Sequence, residues 1–118
     1  YRYPIREETI EIPAGKIDLG EDPEKCAYRE LEEETGYKAK ELTLLTSFYP
    51  AIGFANEKIW IYLAKNLVKS NSNTDKDEFV ETISVDLNIA LDMVAQGMIK
   101  DSKTIIGLMW LDKYLKNE

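Results

Sequence analysis

Two periodicities of apolar residues predict both strands and helices along the chain. Lys58–Leu67 carries apolar side chains at odd and even positions, which is typical of a central strand covered on both faces. Strand-like patterns also occur at Thr9–Pro13, Tyr37–Leu45 and Phe79–Val85. These segments together predict a sheet.

Three further segments carry helix signals. Asp22 can cap a helix over Pro23–Thr35, and Gly36 can supply the left-handed residue that ends it. A second helix is expected over about Leu87–Gln96, and a third from Asp101 or Ser102 to about Lys116. The apolar stripe of the third helix, which we expect to be buried, contains Ile105, Leu108, Met109 and Leu115.

The order of these elements predicts an α/β protein. Strands with one helix before them and two after them favour a helix–sheet–helix arrangement, which is an α/β/α sandwich. A chain of 118 residues is long enough for one hydrophobic core, so we expect a single domain over residues 1–118.

Composition and charge restrict the classes of function. The formal net charge of −7 argues against nucleic acid or an anionic membrane surface as a partner. The chain has no histidine and one cysteine, Cys26, which argues against the usual zinc sites and an internal disulfide. No apolar run is long enough to span a bilayer, and no signal peptide is visible. We expect a cytoplasmic protein and, because the sequence begins at Tyr1 without Met, a fragment or processed chain.

The first predicted helix concentrates carboxylates on one side. Glu33 and Glu34 follow Glu30 by three and four positions, so the three side chains are neighbours on the helix surface. Their mutual repulsion favours a bound cation, and Mg²⁺ prefers oxygen ligands of this kind. Arg29 can pair with Glu33 and fix its orientation. By themselves, the glutamates also fit a solvated helix face or a loose calcium site.

Residues of a known signature recur at fixed gaps between the preceding loop and the end of this helix. They are Gly15, Glu21, Arg29, Glu30, Leu31, Glu33, Glu34 and Gly36. Together they resemble the Nudix box, the signature of the Nudix hydrolase family, at every fixed position up to Gly36. The next residue, Tyr37, stands where the family has an aliphatic side chain, a departure that concerns packing rather than metal binding.

Shorter matches occur along nearly the whole chain, at Arg2–Ile5, Glu11–Gly15, Ser47–Tyr49, Gly53–Phe54, Asp77–Glu81, Ile99–Asp101 and Lys103–Gly107. They are similar to the ADP-ribose pyrophosphatase branch of the family. Ile52 departs from the branch, which usually has a proline there that helps to mark ADP-ribose preference. The branch also has an N-terminal strand region, contributing to its dimer and adenosine pocket, that precedes the part present here. A homodimer therefore stays open.

The resemblance implies the Nudix fold, with a mixed central sheet between helices. It also implies hydrolysis of the pyrophosphate bond of ADP-ribose or a related nucleotide sugar, giving AMP and a sugar phosphate, with Mg²⁺ or Mn²⁺ as cofactor. The implied metal ligands are Glu30, Glu34, more weakly Glu33, and the backbone carbonyl of Ala14. Glu33 and Arg29 are also candidate catalytic residues, and for Arg29 this means orienting a glutamate.

The resemblance places the general base on a loop after the central strands, where Glu78 fits best and Glu81 is second. Arg2 and Arg6 are candidates for holding the terminal phosphate, although solvent-facing positions are equally open. Glu11 is a candidate hydrogen-bond partner of the substrate. The aromatic residues Phe48, Tyr49 and Phe54 are candidates either for stacking on a base or for the core. Glu57 is a candidate for contact with the substrate or with a second metal.

Three functional hypotheses follow. The first is a metal-dependent pyrophosphohydrolase acting on ADP-ribose or a similar nucleotide sugar. The second is the same enzyme class with another nucleoside diphosphate derivative as substrate, which Ile52 favours. The third is a nucleotide-binding module without turnover, which the retained glutamate cluster argues against because a pure binder gains nothing from that repulsion.

Overall fold

The computed structural model describes residues 10–70 and 82–117. These residues form helices and strands in the order helix, strand, strand, helix, helix. The elements are α1 (Pro23–Thr35), β1 (Tyr37–Phe48), β2 (Ile59–Lys69), α2 (Leu87–Ala95) and α3 (Ser102–Lys116).

Local capping signals set the bounds of α1. The Asp22 side chain accepts a hydrogen bond from the Lys25 backbone N–H (2.8 Å), so it caps the helix, and Pro23 follows as the first helical residue. Gly36 adopts a left-handed conformation (φ 77°) and its N–H donates to the Glu32 carbonyl, which ends the helix. The predicted bounds of this helix are confirmed.

The strands β1 and β2 are hydrogen-bonded neighbours in a sheet that, among the described residues, contains these two strands. The Ser70 N–H donates to the Gly36 carbonyl (2.8 Å). This bond joins the residue after β2 to the residue before β1, so the two strands run antiparallel. The loop between them contains a turn at residues 50–54, as Pro50 and Gly53 predict.

The described chain divides into two compact units, and both include parts of β1 and β2. One unit comprises residues 10–12, 45–61 and 85–117, and the other comprises 13–44, 62–70 and 82–84. In the first unit α2 packs against α3. A side chain at Gly107 of α3 would meet Ile12 at 3.3 Å and Ile61 at 3.5 Å, so the absence of a side chain allows this close packing.

The structure corrects three predictions. Residues 10–13 and 82–85, the described parts of two predicted strands, are not strands. The Ile12 N–H instead donates to the Thr104 hydroxyl (3.0 Å), a side chain on α3. The buried stripe of α3 is also different, because Met109 and Leu115 are about half exposed while Thr104 and Gly107 are buried.

Candidate active site

The loop before α1 folds back onto the carboxylates of the helix. The Ala14 N–H donates to Glu34 Oε2 (2.9 Å). The Glu30 carboxylate occupies the position that a Cβ atom at residue 15 would take, so only glycine leaves room for it there. The fold therefore brings Ala14, Gly15, Glu30 and Glu34 together, although Ala14 and Glu34 are 20 residues apart.

Arg29 links this loop to three acidic residues of the site. Its guanidinium forms two hydrogen bonds of 2.9 Å with the carboxylate of Glu21. It also donates to Glu30 Oε1 (2.7 Å) and Glu33 Oε2 (3.2 Å). A bidentate Arg–carboxylate pair fixes both partners in one plane, so Arg29 sets the orientation of side chains on both the loop and the helix.

Further contacts of Arg29 hold the loop itself. Its Nη2 atom donates to the Lys16 carbonyl (3.1 Å) and lies 3.4 Å from the Asp18 carboxylate. The hydrogen bond from Arg29 is the main cause that lowers the pKa of Glu21 from 4.5 to about 2. The same hydrogen bond is the main cause that raises the pKa of Arg29 above its ordinary value. Glu21 is therefore an anion whose function in this loop is to hold Arg29.

Cys26 lies beneath the same loop. Its side chain is buried, and its Sγ atom lies 3.6 Å from the Lys16 carbonyl and 3.9 Å from the Gly15 carbonyl. Burial is the main cause that raises the pKa of this thiol above its ordinary value. The thiol stays protonated and acts here as a small apolar residue with a weak donor.

The last turns of α1 contact residues from both sides of segment 71–81. The Ser70 hydroxyl donates to Glu32 Oε2, and Lys38 Nζ lies 3.7 Å from the same carboxylate oxygen. The Thr82 hydroxyl donates to the Glu34 carbonyl (3.3 Å). Ser70 and Thr82 thus both lie against the helix that carries the candidate metal ligands.

The donor set fits a hard divalent cation. Carboxylate oxygens of Glu30 and Glu34 lie against a loop whose backbone carbonyls are further oxygen donors, which is the chemistry that Mg²⁺ prefers. In residues 10–70 and 82–117, however, no three His, Cys, Asp or Glu side chains are grouped so that they could hold a metal ion. Glu30 and Glu33 are engaged by Arg29, and Glu34 by the Ala14 N–H.

The other predicted site residues are in different places. Arg2, Arg6, Glu78 and Glu81 lie outside the described residues. Glu11 is paired with Lys103 on α3 (2.7 Å). Of the three aromatic candidates, Phe48 is half-buried at the end of β1, whereas Tyr49 and Phe54 are exposed, so a core role for Phe54 is wrong. Glu57 is exposed in the loop before β2.

Sequence reasoning missed the partners that orient the predicted residues. Asp18, Ser70 and Lys103 contact Arg29, Glu32 and Glu11 respectively, and none was singled out as a functional residue. Lys103 and Glu11 are 92 positions apart, and no local pattern connects residues so far apart. Two signals were available: Asp101, two residues before Lys103, can cap a helix, and both Glu11 and Lys103 lie in segments that resemble the family branch.

Comparison with known proteins identifies the class to which this fold and loop–helix arrangement belong. The NUDIX domain family matches residues 2–105, which is most of the chain. The chain belongs to this family, and the resemblance predicted from the spacing of its glutamates is confirmed. Proteins of the family are generally dependent on a divalent metal ion.

Particular relatives include bacterial proteins. The chain is 45% identical over 113 residues to the ADP-ribose pyrophosphatase of Bacillus subtilis (strain 168), a match that covers 94% of this chain and 61% of the relative. It is 46% identical over 113 residues to the methanol dehydrogenase activator of Bacillus methanolicus, with the same two coverages. The chain therefore spans about three-fifths of the length of these curated relatives.

A solved structure confirms the fold. The crystal structure of an ADP compounds hydrolase matches 99% of this chain and 63% of its own chain, with a TM-score of 0.89 and 25% sequence identity. The predicted α/β Nudix fold is confirmed by this match. In the described part of the chain, no helix is both long and apolar enough to cross a membrane.

Proposed function

We propose that this chain is the catalytic core of a metal-dependent pyrophosphohydrolase. Its substrate is ADP-ribose or a related nucleotide sugar, and its products are AMP and a sugar phosphate. Support comes from the Nudix family match and from two relatives, one named ADP-ribose pyrophosphatase and the other ADP compounds hydrolase. Because the chain spans only part of their length, activity of this chain by itself is part of the proposal.

One observation carries the proposal: the loop at Ala14–Gly15 is closed onto Glu30 and Glu34. The Glu30 carboxylate occupies the place of a missing Cβ, and Glu34 accepts from the Ala14 N–H. A helix with a merely solvated acidic face has no need to order a loop against two of its carboxylates. The arrangement places two carboxylates of α1 against the loop that carries the Ala14 carbonyl, and carboxylate and carbonyl oxygens are the ligands that Mg²⁺ and Mn²⁺ use.

The candidate metal ligands are Glu30, Glu34, Glu33 and the Ala14 carbonyl. A bound divalent ion would supply neutralisation of the diphosphate and activation of a water molecule as nucleophile. Arg29 holds the carboxylates of Glu30 and Glu33 and so keeps them directed to one side of the helix. The positive charge of Arg29 also offsets part of the repulsion between the glutamates while no metal is bound.

The remaining roles stay predictions. Glu78 is proposed as the general base, with Arg2 and Arg6 at the phosphates. The contacts of Ser70 and Thr82 with α1 support Glu78, because they attach the residues on either side of its segment to the helix that carries Glu30 and Glu34. A cytoplasmic location and a homodimer also stay predictions.

Two alternatives have their own support. Ile52, which replaces the usual proline and is highly exposed, favours another nucleoside diphosphate derivative as substrate. A module that binds nucleotide and regulates a partner has support from the relative named methanol dehydrogenase activator. The second alternative predicts nucleotide binding without turnover, so kinetic measurements separate it from the enzyme.

The test is release of AMP from ADP-ribose by the chain with Mg²⁺, measured for the wild type and for Glu34→Gln. The amide oxygen can still accept from the Ala14 N–H, so the loop stays in place while a charged metal ligand is lost. We expect the rate to fall at least about a hundredfold, because the lost ligand weakens the metal on which transition-state stabilisation depends.

Glu24→Gln is the matched control, since Glu24 is an exposed glutamate in the first turn of the same helix. Its rate should equal that of the wild type, and a chelator should abolish the activity of both. If ADP-ribose is untouched but another nucleoside diphosphate derivative is cleaved, the substrate assignment is wrong. If nucleotide binds and nothing is cleaved, the proposal that this chain is active by itself is wrong, and the binding-module alternative or a need for the remaining length of the relatives explains the result.

A further inference from the structure

The nitrogen atoms of the Arg29 guanidinium contact two different sets of groups. Nε and Nη2 form two parallel hydrogen bonds of 2.9 Å with the Glu21 carboxylate, and Nη2 also donates to the Lys16 carbonyl (3.1 Å). The Glu21 side chain is only 15% exposed, so this bidentate pair is well shielded from solvent. These two nitrogens therefore attach Arg29 firmly to the loop before α1.

The third nitrogen, Nη1, lies against two of the proposed metal ligands. It donates to Glu30 Oε1 (2.7 Å) and to Glu33 Oε2 (3.2 Å). The Glu33 side chain is 55% exposed, so its contact with Arg29 is weakened by solvent. One nitrogen shared by two carboxylates is easier to exchange for another partner than the two parallel bonds to Glu21.

A divalent cation and Nη1 require the same oxygen atoms. A metal ion held by Glu30 and Glu33 needs their carboxylate oxygens directed towards it, whereas Glu30 Oε1 and Glu33 Oε2 are directed towards Nη1. A metal ion at the same oxygens would also be repelled by the guanidinium, because both are positively charged. Binding of the metal by these two glutamates therefore requires that Nη1 release them.

We propose that Nη1 of Arg29 is an internal counter-ion of the metal site, which pairs with Glu30 and Glu33 in the metal-free protein and is exchanged for the divalent cation. Nε and Nη2 stay on Glu21, so the loop is held in both states. This inference rests on the proposed function, in which the glutamates are metal ligands. It adds that Arg29 lowers the affinity of the site for the metal.

The direction of the effect distinguishes a counter-ion from a residue that only orients the glutamates. If Arg29 only orients Glu30 and Glu33, its removal leaves the ligands less ordered and weakens metal binding. If Nη1 competes with the metal, its removal frees two carboxylates and strengthens metal binding. The two functions therefore predict changes of opposite sign in the same dissociation constant.

The test is the dissociation constant for Mn²⁺, measured from the electron paramagnetic resonance signal of the free ion, for the wild type and for Arg29→Met. Methionine occupies part of the same space without charge. We expect Arg29→Met to bind Mn²⁺ about tenfold more tightly, because the ion no longer displaces a charge-assisted hydrogen bond. A dissociation constant equal to or higher than that of the wild type would overturn the inference.

Lys25→Met is the matched control, since Lys25 is an exposed lysine in the first turn of α1. It removes the same charge from the same helix, whereas Glu30 and Glu33 keep their contacts with Arg29. Its dissociation constant for Mn²⁺ should stay within about twofold of the wild type, because solvent and salt screen an exposed charge. A change as large as that of Arg29→Met would show that net charge alone sets the affinity, which would contradict the inference.

A second measurement uses the wild type and decides the question if Arg29→Met does not fold. The chain has three arginines, so the side-chain NMR signals of protein labelled with ¹⁵N-arginine are few and can be assigned with Arg2→Lys and Arg6→Lys. At a saturating concentration of Mg²⁺, the Nη1 protons should exchange with water several-fold faster, while the Nε proton keeps its slow exchange. Unchanged exchange of the Nη1 protons would overturn the inference.

Metal binding is measured without turnover, so failure of this inference and failure of the proposed function are distinguishable. If the wild type binds Mn²⁺ but does not cleave ADP-ribose, the proposed catalysis is wrong, and the two dissociation constants still decide the role of Nη1. If the wild type cleaves ADP-ribose and Arg29→Met binds Mn²⁺ no more tightly, the inference alone is wrong. If neither protein binds Mn²⁺, both are wrong.

Discussion

In two regions of the protein, a single cationic side chain pairs with several carboxylates, but the number of carboxylates differs. At α1, one guanidinium lies within 3.4 Å of four carboxylates, those of Asp18, Glu21, Glu30 and Glu33. At α3, one ammonium lies within 3.0 Å of two carboxylates, those of Glu11 and Asp101. In each case a single cation ties a helix to a segment that precedes it in sequence.

The difference lies in how much negative charge the cation leaves uncompensated. Arg29 can offset only part of the charge around α1, and its side chain is 28% exposed, so this region keeps an excess of negative charge that is partly accessible to solvent. Lys103 is 16% exposed, and the hydroxyl and N–H of Thr104 supply the remaining donors to Asp101. The larger excess of negative charge therefore lies around α1, where the metal site is proposed, whereas the network at α3 has a smaller excess and is better shielded from solvent.

The largest effect expected from this comparison is that of Gly15→Ala. The added Cβ would overlap the Glu30 carboxylate, which is the far end of a flexible side chain and can move aside. We expect hydrolysis to fall about a hundredfold or more, because a proposed metal ligand is displaced, while the free energy of unfolding changes by less than about 1 kcal/mol. Steady-state rates and urea unfolding measure the two quantities.

Gly53→Ala is the control for this substitution, since nothing lies within 4 Å of a Cβ atom built there. It should have the activity and stability of the wild type. A Gly15→Ala protein that keeps full activity would show that hydrolysis does not need Glu30 in its position against the loop. The proposed functional role of the α1 region would then be wrong.

The next effect concerns the α3 region and should have the opposite character. A Cβ atom placed at residue 107 would lie 3.3 Å from Ile12 and 3.5 Å from Ile61. The larger side chain of Gly107→Leu would therefore collide with both residues. Overpacking of this kind costs about 2 kcal/mol of unfolding free energy. We expect that loss in urea unfolding, with kcat per folded molecule unchanged. A loss of kcat without a loss of stability would show that the contact at Gly107 serves catalysis rather than the stability of the fold.

The smallest effect is on acid stability and comes from Glu21. Its pKa in the folded protein is about 2, below the ordinary 4.5, because Arg29 hydrogen-bonds the charged form. The stabilisation is therefore complete above about pH 4.5 and is lost as the pH falls from there towards 2. Glu21→Gln should lower the melting temperature at neutral pH and reduce its decline over that acidic range.

Glu24→Gln again provides the comparison for this measurement, since Glu24 lies in the exposed first turn of α1. Its melting temperature should decline with pH as in the wild type. Equal declines in the Glu21→Gln protein and the wild type would show that the pair with Arg29 is not what stabilises the loop.

Elements with local signals were predictable from sequence. The helix α1 has the predicted bounds because Asp22, Pro23 and Gly36 each act within one turn of their own positions. The loop contact with the helix was also expected, since the Ala14 carbonyl was placed near the candidate ligands. The structure adds the means of that contact, a hydrogen bond to Glu34 and the space left at Gly15.

Elements determined by distant contacts were not predictable. Alternation at Ile10 and Ile12 predicts a strand, but the Ile12 N–H is taken by the Thr104 side chain. In α3, periodicity selected large apolar residues such as Met109 for the buried face, whereas the close contact is made at Gly107, which has no side chain to contribute to such a pattern. Hydrophobic periodicity finds bulky cores and overlooks contacts made by small residues.

Cys26 gives the protein a built-in chemical reporter. It is the only thiol of the chain, it is buried, and it lies under the carbonyls of Gly15 and Lys16. A thiol-specific alkylating reagent can reach it only when the loop lifts from α1, and its raised pKa keeps the reactive thiolate scarce until then. The rate of alkylation therefore reports how often the loop opens, and no label has to be introduced into the protein.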